Sequence, residues 1–105
     1  HSLRRGAAEA LELIVHGDRD SSKVVGRRIE ELPVIKGAHI AAILRHGPPK
    51  TGLQDGLPVM VSGDEVIIPH HDTVIRADDH VVVFCTRKAQ ILQVEKLFQV
   101  GFGFF

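Results

Sequence analysis

Seven histidines in 105 residues are the first place to look for chemistry, because imidazole binds transition metals and moves protons near neutral pH. The densest group is His70-His71-Asp72, with His80 further along, and imidazole plus carboxylate ligands suit Zn²⁺. The spacing argues against a shared ion. Neighbouring residues on a strand point to opposite faces, so His70 and His71 cannot both chelate without a bend. No pair of histidines stands four apart, as two ligands on one helix face would require. The expectation is no metal site, with these histidines exposed on a loop. Asp78-Asp79, with Glu65 or Asp64, could offer oxygen ligands to Ca²⁺. Adjacent carboxylates before an apolar run are better read as a solvated turn.

Nucleophilic catalysis finds little footing. Cys85 is the single cysteine and lies in VVVFC, where burial raises a thiol's pKa and makes it inert. Ser21 and Ser22 sit where helix-capping oxygens are wanted. No paired acidic set stands out for general acid–base work, and no glycine-rich phosphate cradle of the GxGxxG type is present. The sequence does not read as an enzyme.

The bulk properties fit one small globular domain. Thirteen basic and thirteen acidic residues cancel, which removes the electrostatic argument for a nucleic-acid or anionic-membrane partner. No window approaches the roughly 18 apolar residues of a membrane span. One cysteine allows no internal disulfide and suits a reducing interior. The first residue is His1, not Met, so the chain reads as a part excised from a larger protein.

The elements that must position these residues follow from periodicity. Residues 1–10 read as a linker or the end of a preceding helix, and 11–16 as a short strand. In 23–32, Val25, Ile29 and Leu32 recur at helical spacing, and Pro33 stops the helix. Residues 38–45 form a strand. Residues 47–58 hold three glycines and three prolines and read as a long loop. Residues 58–62 and 65–69 read as a hairpin around Gly63-Asp64, with Val59, Val61, Val66 and Ile68 inward. Residues 81–85 read as a central strand covered on both faces. Residues 88–99 place Ile91, Val94, Leu97 and Phe98 on one helical stripe. The order is strand, helix, strand, hairpin, strand, helix. That pattern predicts an α+β fold, a small mixed sheet with helices mainly on one face. Phe98, Phe102, Phe104 and Phe105 crowd the end of the chain, either as an interface anchor or as a cover over the domain's own sheet.

In sequence order, SSKVVGRRIEEL (21–32), AHIAAILRHG (38–47) and EVIIPHHDTVIRADDHVVVFCTR (65–87) resemble the C-terminal ligand-sensing domain of regulators of potassium conductance. The resemblance covers residues 11–100, leaving 101–105 as an aromatic tail. It implies a regulatory, dimer-forming domain on the cytosolic subunit of a Trk-type potassium uptake system, with the membrane transporter subunit as partner. The expected place is the cytoplasm, peripheral to the inner face of the plasma membrane. Any NAD or ATP would bind an upstream Rossmann half, and no cofactor is expected in this segment. Some relatives bind a cyclic dinucleotide across the dimer, and the matching positions here are Ala42, Ile43, Arg45, Ile68 and Pro69. Two features depart from the family's pattern: Asp78-Asp79 stands in place of Gly-Asp, and residues 47–62 lengthen a connection that is normally a tight turn. The alternatives are an ACT-type small-molecule sensor of a metabolic enzyme, or the same domain on another cation or anion transporter.

Overall fold

The computed structural model describes residues 3–5 and 8–99, with side chains from residue 9. Seven strands and one helix are formed among them: β1 (Leu3–Arg5), β2 (Ala8–Ile14), β3 (Ala38–Arg45), β4 (Lys50–Gln54), β5 (Leu57–Val61), β6 (Glu65–Ile67), β7 (His80–Cys85) and α1 (Lys88–Phe98). Five strands make one sheet in the order β1-β2-β7-β3-β6, and β4-β5 make a separate two-stranded ribbon. Each pairing is antiparallel. The α+β expectation holds, with α1 on one face of the sheet against β2 and β7. The residues expected as a linker instead supply β1 and the first part of β2.

β7 is central, as its apolar run demands, but it is not covered on both faces. Val81, Val83 and Cys85 are buried under α1, whereas Val82 is half-buried and Phe84 is 48% exposed. Period-2 alternation sends these two sets to opposite sides of the sheet, and α1 covers only one side. The core gathers Val15, Val24, Ile43 and Ile75 with Val81, Val83, Cys85, Val94 and Phe98. Burying each large apolar side chain contributes about 1.5–3 kcal/mol. Ile91 and Leu97 flank this core on the stripe predicted for α1.

The helix expected over 23–32 is replaced by extended and turn backbone ending in a short 3₁₀ turn, Ile29–Glu31. Beside a few local turn bonds, several of its backbone hydrogen bonds go to residues 71–75, with no i→i−4 helical ladder within the segment. Gly26 N–H donates to the Ile75 carbonyl, Ile75 N–H to Arg27, Ile29 N–H to Thr73 and Glu30 N–H to His71, all at 2.8–3.0 Å. Gly26 adopts a φ of +76°, a left-handed conformation that glycine tolerates and a helix interior excludes. Ser22 caps this turn, its buried hydroxyl accepting from Val24 and Val25 N–H. The apolar spacing was real, and the strand-like pairing with residues 71–75 overrode it.

The second difference lies at 47–69. The stretch expected as a loop forms β4, and β5 pairs with it around Asp55-Gly56. Both turn residues have positive φ, +52° and +79°, the geometry of a tight hairpin turn whose twist matches its strands. Gly63-Asp64 makes no such turn, and β6 pairs with β3 instead. Consequently Val61, Val66 and Ile68, expected inward, are exposed, and Val59 is only half-buried.

Candidate functional site

Pro33 ends the 3₁₀ turn, and residues 33–37 arch over the sheet before β3 begins. The arch stands off the helix and leaves a groove of about 540 Å³ between it, the 69–71 segment and the end of α1. Such a volume lies in the range of small-molecule sites. Its floor is apolar, with Ile40, Val83, Val94, Leu97 and Phe98 below, and Leu32, Val34 and Ile35 on the arch. Lys36, His39, His70 and His71 supply its polar rim. The arch is tied down at its C-terminal end, where the Gly37 carbonyl accepts from the Thr86 N–H at 3.0 Å. The Gln90 side chain donates to the Lys36 carbonyl and accepts from the Thr86 and Arg87 N–H groups at 3.0 and 3.1 Å. Gly37 leaves room for that amide, where a Cβ would collide with it. This arrangement can hold an apolar or flat ligand with a few polar contacts at its edge. It holds no nucleophile–base pair.

The five residues matched to a family ligand cleft do not share one surface. Ile43 is fully buried in the core. Ala42 pairs with Val82 and lies half-buried on the sheet's open face. Ile68 is exposed, and only Pro69 lines the groove. Arg45 is engaged elsewhere. Its Nε donates to Asp79 Oδ1 at 3.0 Å and its Nη2 to Asp79 Oδ2 and the Val74 carbonyl, both at 2.8 Å. Asp79 is 1% exposed and also accepts from the Arg76 N–H at 2.9 Å. Hydrogen bonding to that carboxylate pushes the Arg45 pKa still further up. The pair ties β3 to the turn before β7, a bidentate geometry that suits a structural clamp.

The histidines are dispersed. His70 and His71 flank the groove, while His80 faces Glu12, Nδ1 to Oε1 at 2.8 Å. Sequence reasoning did not foresee the partner of His80. Its ring meets His46 edge-on, with centroids 5.0 Å apart, and His46 Nδ1 lies 3.2 Å from Asp64 Oδ2. The signal was the pairing of Leu44 with His80, which only the sheet register reveals. Asp64 also accepts from the Gly47 N–H, and these bonds, the backbone one foremost, hold its carboxyl below the usual carboxylate range. Among the described residues no three His, Cys, Asp or Glu side chains come together to hold a metal ion. Cys85 is buried, and desolvation pushes its thiol up. Phe98 packs in the core and lines the groove; Phe102, Phe104 and Phe105 lie outside the described residues. No described helix is long and apolar enough to cross a membrane.

No protein-family model matches the chain. Individual proteins do, along its whole length. It is 47% identical over all 105 residues to the Trk system potassium uptake protein TrkA of Halomonas elongata, covering 19% of that protein. It is 46% identical over 98 residues to the TrkA of Vibrio alginolyticus and 36% identical over 98 residues to that of Haemophilus influenzae, covering 18% of each. The chain thus spans less than a fifth of the length of these relatives. The family resemblance read from the three sequence blocks is borne out.

Proposed function

We propose, taking as premise that this chain is a TrkA-like segment, that it is a regulatory domain of the cytosolic subunit of a Trk-type potassium uptake system. The observation that carries the reading is 47% identity over all 105 residues of the chain to a protein named Trk system potassium uptake protein TrkA. The groove under residues 33–37 supports an effector-responsive mechanism. It joins three pieces of the chain that are distant in sequence, so an occupant would bias how the arch, the 69–71 segment and α1 sit together. A bias of this kind is transmitted as a coupling free energy, typically about 1–3 kcal/mol. In this reading the domain also self-associates, is cytoplasmic, and acts on the membrane transporter subunit without catalysing a reaction.

Potassium uptake in a Trk-dependent strain tests this, comparing the whole parent protein with a version lacking residues 11–99 at matched protein levels. Loss or deregulation of uptake is expected. Unchanged uptake would overturn the reading and bring an ACT-type metabolic sensor to the front.

A further inference from the structure

We infer that the groove under residues 33–37 takes a small amphiphilic anion, with an aliphatic chain of medium length on its floor and a carboxylate at its rim. The inference rests on the effector reading of the proposed function and names the chemical class of the occupant.

The charge of the lining is one-sided. The chain as a whole balances thirteen bases against thirteen acids. Among the described residues, however, no Asp or Glu lines the groove, and the ionisable residues that do are Lys36, His39, His70 and His71. His39 stands opposite Phe84 in the strand register. Its neighbour Ile40 faces the core with Val83, so the His39 ring goes to the other side of the sheet. Lys36, His70 and His71 remain, and no hydrogen bond or ion pair to another described residue engages their side chains. The acids of the nearby 3₁₀ turn are already paired, Glu30 and Glu31 with Arg28 at 2.7 and 3.3 Å. Asp72 follows His71 in sequence but is not part of the lining. The rim thus presents an ammonium and imidazole N–H donors without a resident anion. A carboxylate complements such a rim, because both its oxygens only accept and charge assistance strengthens the bonds they receive.

The floor decides the body of the ligand. Ile40, Val83, Val94 and Leu97 are aliphatic, and Val83 and Val94 are buried. A nucleobase or similar heteroaromatic ring would leave its polar edge unpaired against them, which is costly. An alkyl chain has no such edge. The arch offers a second apolar wall. Val34 lines the groove yet is 94% exposed, so it gains burial when a chain lies beneath it.

A chemical-shift titration of the full chain with octanoate and with 1-octanol, at low ionic strength, tests the inference. Lys36→Gln and Val34→Asp change exposed side chains, and circular dichroism confirms that both variants are folded. Saturable shifts at the groove are expected, with octanoate bound at least about tenfold more tightly than octanol. Lys36→Gln should weaken octanoate about threefold or more and leave octanol unchanged, a split that a merely structural effect does not give. Val34→Asp should weaken octanoate at least about tenfold. No saturable binding, or octanol bound as tightly as octanoate, would overturn the inference. Binding that appears only once residues 100–105 are removed would assign the groove to the chain's own end. An affinity that falls as protein concentration rises would assign it to a second copy, and either result overturns the carboxylate site. The potassium-uptake comparison is read separately, so a failed titration leaves the transport role standing and a failed uptake test leaves the site standing.

Discussion

Asp79 is the carboxylate on which the turn before β7 depends, with its two oxygens shared between Arg45 and the Arg76 backbone. Removing it with Asp79→Ala leaves the Arg45 guanidinium, itself 16% exposed, without its partner. Breaking a buried pair of this kind costs about 3–5 kcal/mol. Urea denaturation of the variant should show a loss toward the lower end, because Arg45 keeps the Val74 carbonyl and some water. The paired Arg45→Met/Asp79→Leu variant should recover part of that loss. Cys85 gives a second test at this scale. Buried, with its thiol pKa raised, it should react with a disulfide reagent only as the chain unfolds, so labelling should track the denaturation curve. Acid should reach Asp64 differently. Its folded pKa is depressed, so its contribution to stability is present above the unfolded carboxylate pKa of about 4. That contribution is lost as pH falls through the lower native value. Thermal melts should weaken below about pH 4, and Asp64→Asn should flatten part of that slope.

At the scale of elements, the neck of the β4–β5 ribbon is set by Gly47 and Gly63. A Cβ on Gly63 would run into the Pro48 carbonyl, so Gly63→Ala should shift backbone and lower stability by about 1–3 kcal/mol in thermal or denaturant unfolding. Gly56 differs in kind. Nothing lies within 4 Å of its would-be Cβ, but its φ is +79°. Gly56→Ala should cost about 1–2 kcal/mol from left-handed strain alone, and Gly56→Asn less, since Asn tolerates that conformation. The helix is anchored through Val94, which is 2% exposed in the core. The Asp55-Gly56 turn could have been read from the sequence as a hairpin signal. The prolines and glycines around it suggested a loop, and Gly63-Asp64 offered a competing turn. Local turn chemistry alone did not decide between them, because each pair fits a tight turn and only one allows β6 to join β3.

At the scale of the molecule, much of the fold was legible. The continuous apolar run 81–85 announced a central strand, though not that one of its faces stays open, and the stripe Ile91, Val94, Leu97 announced the last helix, because burial imposes such patterns. Other features were not. The spacing of Val25, Ile29 and Leu32 fits a helix equally well, and what chose otherwise was a set of backbone partners at 71–75, distant in sequence. The candidate groove was hidden for the same reason: its lining comes from 29–40, 69–71, Val83 and 94–98. Arg45 looked free for a ligand until the fold delivered Asp79 to it, and His46 and His80 met only through the register of β3 with β7. The sequence by itself determined the class of the fold and, through its three ordered blocks, the kinship with potassium-uptake proteins. Those depend on residue type and local period. Which segments pair, which charges are spent on each other and which apolar faces stay open were decided only by tertiary structure, because each needs groups brought together across tens of residues.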